Sequence, residues 1–211
     1  MCYSKEVSLL SLIGGIISSS LLDNFGDKKY KNTNIKISLF FSFVTLMQFV
    51  EYLIWSDINC SYGLNKLAGY IGPLLNNLQP FILYLLYHNE LSKISSSKII
   101  NYIYVIYVLF YYSKFIMQEN ICSGLINNHI SWSWSYDNFN FYFIVMILNN
   151  YYMKKDKYKY ITVILSAIAW FLSYRYFKLN LGEFWCLFVV LIPIIILVIQ
   201  RIDIIRMKYN Q

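Results

Sequence analysis

Runs of mostly apolar residues recur along the chain near 7–22, 37–55, 67–87, 99–118, 135–153, 158–177 and 182–202, separated by short polar connections. A spanning helix needs about 20 such residues, because the hydrocarbon layer is about 30 Å thick and each residue rises about 1.5 Å. The pattern predicts an all-α integral membrane protein, a single domain over residues 1–211 built as a bundle of about seven transmembrane helices. The first run is short, and the fifth opens on Ser135, Asp137 and Asn138. The first run reads as a retained helix and not a cleaved signal. Only Lys5 precedes it, Glu6 sits beside it, and Asp23 and Asn24 stand where a cleavage site would have small residues.

Charge sets the expected orientation. Lys28, Lys29, Lys31 and Lys36 follow the first run, Lys93 and Lys98 the third, and Lys154, Lys155, Lys157 and Lys159 the fifth. Arg201, Arg206 and Lys208 follow the last. The other side has only Lys5, Lys66, Lys114, Arg175 and Lys178. Positive loops stay in the cytoplasm, so an odd number of alternating spans puts the N-terminus outside and the C-terminus inside. With 58% hydrophobic and 14% charged residues, the chain has too few charges to cover a water-facing surface. The net charge of +7 is divided among those connections and forms no single patch, so no nucleic-acid partner is expected. Abundant Ile, Lys, Asn, Tyr and Phe reflect AT-rich codons.

Under this topology Cys2, Cys60, Cys122 and Cys186 all fall on the outer side, which suggests disulfides. Four cysteines allow three pairings. Cys60–Cys122 is the preferred one because both lie in loops, while Cys2 and Cys186 are either paired or free.

Polar groups inside the spans are the candidate chemistry, because ionisable residues at membrane depth are costly. Gln48, Glu51 and Trp55 share one face of the second span, with Glu51 about one turn from its outer end. Tyr104, Tyr107, Tyr111 and Lys114 recur in the same way on the fourth, so a Glu51–Lys114 pair forms if those two spans pack together. The plainer alternative has Lys114 snorkelling and Glu51 protonated or capping a neighbour. In the third span Gly69, Gly72, Asn76 and Gln79 line one face while Pro73, Asn77 and Pro80 interrupt the ladder. Such a span is either a discontinuous transporter-type helix or a simple kink. Ser11, Gly15 and Ser18, and likewise Thr162, Ser166, Ala169 and Ser173, form small-residue stripes suited to close packing. Pro193 is expected to kink the last span, Trp132 and Trp134 to join an interfacial aromatic belt, and Arg175, Lys178 and Glu183 to form a rim ion pair.

His88 and His129 fall in or beside loops, and no metal-ligand spacing lies within a span, so no metal and no cofactor is expected. The last span has no lysine between Glu183 and Arg201 for a retinal Schiff base. No phosphate loop, nucleophile elbow or carboxylate pair is present, which argues against an enzyme. An inner acidic–arginine pair on the third span and an Asn-Pro on the seventh are missing too, unlike conventional G-protein-coupled receptors.

Two stretches carry a resemblance. The opening Met1-Cys2-Tyr3-Ser4 and the Gln48-Phe-Val-Glu51-Tyr-Leu-Ile-Trp55 segment resemble the Met-Cys-(Phe/Tyr)-Ser and Gln-x-x-Glu…Trp patterns of a group of uncharacterised multi-span membrane proteins. Members occur in giant DNA viruses and in bacteria. Gly72-Pro73 to Gln79-Pro80 is similar to the viral members in particular. The resemblance covers about the first 90 residues. It implies a host-cell or virion membrane, transfers no mechanism, and directs attention to Cys2, Gln48, Glu51 and Trp55.

Two functions follow as expectations. One is a small transporter or channel for an ion or solute, its polar site in the outer half of the bilayer built from Gln48, Glu51, Trp55, Asn76, Gln79 and Lys114. The other is a non-catalytic receptor-like or membrane-organising protein that binds a partner through its outer loops.

Overall fold

In a computed structural model the described residues are 4–91, 93–118, 120–126, 128–134, 139–152, 157–176 and 190–209. They form helices α1 (Lys5–Phe25), α2 (Lys31–Ser56), α3 (Leu64–Leu86), a short α4 (His88–Leu91), α5 (Ser95–Ile116), α6 (Phe139–Tyr152), α7 (Lys157–Tyr176) and α8 (Ile192–Tyr209). A hairpin of β1 (Gly124–Ile126) and β2 (His129–Ser131) sits between α5 and α6.

α1 begins earlier than its apolar run because Ser4 accepts a hydrogen bond from the Val7 N–H at 3.3 Å, capping the first turn where Glu6 also complements the helix dipole. It ends at Gly26, where a Cβ would collide with the Leu22 carbonyl and the Asn34 side chain. α1, the helical stretch Lys28–Ser56 and α5 are each long and apolar enough to cross a membrane. α3 is as long, but Asn65, Asn76, Asn77 and Gln79 dilute its hydropathy. α5 exposes Ile99, Ile103, Ile106 and Phe110, each more than half accessible, along one face. Such a stripe marks a surface that meets a membrane or another protein.

α1 and α2 pack closely through small residues. A Cβ on Gly15 would strike the Thr45 side chain, and Ser8, Ser11, Ser18 and Ser19 are buried on the same side. This is the close approach that the small-residue stripe predicts. α3 packs on α2, α5 and α6 pack on α3, and α8 lies against α1 and α7.

α3 is one continuous helix with Pro73 and Pro80 inside it, so the discontinuous reading does not hold. Its carbonyls near the prolines find partners sideways. Asn77 Nδ2 donates to the Pro73 carbonyl at 2.8 Å, Tyr104 of α5 donates to the Asn77 carbonyl at 2.7 Å, and Asn149 of α6 donates to the Pro80 carbonyl at 3.0 Å. Tyr104 and Asn149 thus tie α5 and α6 to α3 beside its second proline.

Pro193 falls in the first turn of α8, just after a turn at Val190–Leu191, where a missing N–H breaks no helical bond. Residues 135–138 and 182–189 of the fifth and seventh expected spans, and Cys2, Lys178, Glu183 and Cys186, lie outside the described residues.

Candidate functional site

The polar residues singled out by the sequence are not gathered into one site. Gln48 and Glu51 are completely buried on α2, and Trp55 is half-buried against the cluster beyond them. Gln79 is buried on α3, accepting a 2.6 Å hydrogen bond from Tyr142 of α6, and Asn76 is half-buried. Glu51 lies five residues from the end of α2 and Gln79 fifteen from the adjoining start of α3. At 1.5 Å per residue the two differ by about 15 Å in depth. Lys114 is exposed, its ammonium 4.5 Å from the centre of the Phe110 ring. α3 lies between α2 and α5, so the Glu51–Lys114 pair does not form.

At the end of the bundle where α2 meets α3, the chain builds a cap. Cys60 and Cys122 are joined in a disulfide with Cα atoms 6.2 Å apart, the pairing preferred from their loop positions. Cys60 has φ 55° and Gly63 has φ 84°, so the connection turns through two left-handed residues. Asp57 organises that turn. Its carboxylate accepts the N–H groups of Ser61 (2.7 Å), Tyr62 (3.0 Å) and Asn65 (3.2 Å), holding the loop against the start of α3. Burial alone would raise its pKa, but these N–H donors outweigh burial and hold it below the usual carboxylate value.

Asn65 joins the loop to the hairpin segment in both directions. Its Nδ2 donates to the Ser123 carbonyl at 2.8 Å, and its Oδ1 accepts the Ser123 N–H at 2.9 Å. The Ser123 hydroxyl then accepts the Ser133 N–H at 3.0 Å. Trp132 and Trp134 stack 5.0 Å apart beneath this network, 5% and 2% exposed. They are the core of the cap and not members of an interfacial belt. Gly72 faces Trp134 and Gly69 faces the Ile121 carbonyl so closely that a Cβ at either position would overlap them. The glycines on α3 are therefore the seat of the cap, a role that their spacing with Asn76 and Gln79 did not suggest. Around this core Tyr62, Met117, Leu125 and Ile126 point outward, Tyr62 and Met117 more than four-fifths accessible.

A second polar feature escaped the sequence reading. Asn101 of α5 and Asn149 of α6 form a reciprocal amide pair, at 2.7 and 2.9 Å. Their remaining N–H groups reach the carbonyls of Ser97 and Pro80, so both amides are fully satisfied within a completely buried position. Asn34 and Gln200 form a similar pair between α2 and α8, and Gln200 also accepts the Asp27 N–H at 2.7 Å. The available signal was an amide near the end of an apolar run for Asn101, Asn149 and Gln200, while Asn34 lies just before one.

A cavity of 950 Å³ opens on the side of the molecule between α2, the end of α3, α6 and α7. Phe40, Phe41, Leu83, Met146 and Ile147 give it apolar walls. At one end stand Lys36, Tyr87 and Lys159, with both lysine ammoniums over the Tyr87 ring, at 4.5 and 4.3 Å from its centre. A shallower apolar cleft of 610 Å³ runs between α1 and Val190–Ile194. Neither cavity is lined by Gln48 or Glu51. No group of three His, Cys, Asp or Glu side chains suited to a metal ion occurs among the described residues. Compared with known proteins, the chain matches no family model, and no curated protein or solved structure matches it.

Proposed function

We propose that this chain is a seven-span integral membrane protein, N-terminus outside and C-terminus in the cytoplasm, that docks a protein partner on its outer cap in a receptor-like or membrane-organising role. The observation that carries the reading is the build of the cap. A surface braced by the Cys60–Cys122 disulfide and by the Asp57 and Asn65 hydrogen bonds holds Tyr62, Met117, Leu125 and Ile126 outward. Rigid display of apolar and aromatic side chains on a pre-ordered scaffold lowers the entropy cost of binding. The orientation is supported by the excess of Lys and Arg in the connections at the opposite end.

The test places a photo-crosslinking residue at Ile126 in intact cells, with Ile106 on the apolar face of α5 as the control. A discrete protein adduct at Ile126, absent at Ile106 and lost in Cys60→Ser/Cys122→Ser, is the expected result. Identical adducts at both positions would reject the cap as the docking surface.

A transport or channel role retains one observation in its favour: Glu51 is an ionisable side chain buried completely at membrane depth beside the equally buried Gln48. Ion and proton flux into liposomes separates the readings. Flux that disappears in Glu51→Gln would move the function to α2, whereas a well-folded wild-type protein without flux leaves it at the cap.

A further inference from the structure

The side cavity between α2, α6 and α7 has the depth of one leaflet of a bilayer. It runs from Lys159 to Ala167 on α7 and from Tyr151 to Tyr142 on α6, positions eight and nine residues apart. At 1.5 Å per residue that is about 12–14 Å, close to half of a hydrocarbon layer about 30 Å thick. A spanning helix of another protein would be about twice as long as the space. The volume of 950 Å³ is that of a large small-molecule site, since such sites occupy about 300–1,000 Å³. The walls are hydrocarbon, and polar side chains that line them direct their donors into the protein. Thr162 donates to the Tyr158 carbonyl at 2.8 Å, Asn150 to the Met146 carbonyl at 2.8 Å, and the Tyr142 hydroxyl to Gln79 at 2.6 Å. The Lys36 and Lys159 ammonium groups lie against the Tyr87 ring. A ligand with polar groups along its length would lose hydrogen bonds to water and find these donors engaged, whereas a hydrocarbon chain loses none. Tyr151 and Tyr160 stand at the lysine-rich end, 79% and 50% exposed, in the position of aromatic side chains at a membrane interface.

We infer that the cavity is a binding site for an acyl chain of a bilayer phospholipid from the leaflet at the lysine-rich end. The lipid is recognised along its hydrocarbon and not through its head group. The inference rests on the membrane reading proposed above, but not on the cap or on any transport activity.

The experiment is native mass spectrometry of the purified full-length protein in detergent, titrated with phosphatidylcholine or phosphatidylglycerol of identical acyl chains. Glycerophosphocholine, which has a head group and no chains, is the competitor. The two phospholipids are expected to bind alike, and glycerophosphocholine is expected not to displace them. Ser166→Trp fills the cavity and is expected to weaken both lipids by about tenfold, because the many small contacts along the chain are lost together. Ala167→Phe, a smaller filling at the next lining position, is expected to weaken both to a lesser degree and serves where the tryptophan variant does not fold. Ile106→Trp, on the exposed face of α5, is expected to bind as the wild type does. Undiminished binding in the cavity variants, or an equal loss in Ile106→Trp, would overturn the inference. So would a marked preference for phosphatidylglycerol or displacement by glycerophosphocholine, which would place recognition at the head group. Displacement of both phospholipids by equimolar cholesterol would make the ligand a rigid sterol and overturn it as well. Alkaline carbonate extraction of cell membranes tests the underlying reading separately, since release of the chain into the soluble fraction rejects membrane insertion whatever the lipid titration shows.

Discussion

The half of the molecule built from α1, α2, α3 and the cap differs from the half built from α6, α7 and α8 in how its helices are held. In the first, backbone approaches backbone: Gly15 against Thr45, Gly69 against Ile121, Gly72 against Trp134, with a disulfide across the top. In the second, long side chains stand between helices and polar handles make the connections. Tyr30 meets Tyr158 edge-on at 4.6 Å, Tyr158 and Lys157 donate to Asp203, and an open cavity separates α2 from α6 and α7. In the membrane proposed above, apolar burial does not distinguish a neighbouring helix from lipid, so shape and hydrogen bonds would specify the packing. The capped half adds the Asp57 and Asn65 hydrogen bonds to close backbone contact, while the other half is connected through polar side chains. The open spaces lie where the two halves meet, between α2, α6 and α7 and between α1 and Val190–Ile194.

The comparison breaks most severely at the disulfide. The bridge closes a loop with a sequence separation of 62 residues, and chain entropy alone assigns such a closure about 4 kcal/mol. Cys60→Ser, or reduction of the wild type, should lower the thermal midpoint in detergent by the largest margin of any change named here, followed by tryptophan fluorescence from Trp132 and Trp134. Overpacking comes next. Gly69→Leu directs a side chain at a main-chain carbonyl that has little freedom to withdraw, and should cost about 3 kcal/mol. Gly14→Leu on α1, where the space around the Cβ is open, should cost far less in the same thermal assay.

The amide pairs sharpen the contrast at smaller scale. Asn149→Leu leaves the buried Asn101 amide without its partner and should destabilise by about 1–2 kcal/mol. Asn101→Leu/Asn149→Leu, measured as a double-mutant cycle, should recover most of that loss; strict additivity would show that the pair is not coupled. Acid acts on the cap through Asp57. The Asp57 carboxyl has its pKa lowered in the folded state, so its contribution is fully present above the unfolded carboxylate pKa, about 4. It disappears as pH falls through the folded value. The wild-type cap should therefore lose stability on acidification, and Asp57→Asn should start lower and respond less. The smallest effect belongs to Lys157–Asp203, whose side chains are 54% and 24% exposed. Asp203→Asn should change the midpoint by less than about 1 kcal/mol.

How far the sequence anticipated this follows from which signals are local. Apolar runs marked most of the helices because hydropathy is a property of each segment, and the Cys60–Cys122 bond was readable because both cysteines flank spans that end on one side. Gly15 with its serines announced close packing through spacing on a single helix. Glu51–Lys114 failed because nothing local states which helices are neighbours, and α3 occupies the intervening place. Trp132 and Trp134 were assigned to an interface from their position near a span end, whereas the hairpin folds back and buries them. Lys159 counted only as one positive charge of a loop, yet it is buried beside Tyr87. Tertiary placement, not residue type, decided each of these.

The Asn34–Gln200 pair has a consequence for biosynthesis. The α1–α2 hairpin is made first and is closely packed on its own, but the Asp27 N–H, the Asn34 carbonyl oxygen and a bond of the Ser18 hydroxyl to Val190 all await residues added at least 150 positions later. Until α8 is made, these groups lack their partners on that helix, although the Ser18 hydroxyl keeps its bond to the Gly15 carbonyl and Asn34 Nδ2 its bond to the Asp27 carbonyl. The last helix thus completes contacts begun by the first two, and a chain truncated before α8 is expected to hold its α1–α2 hairpin less firmly.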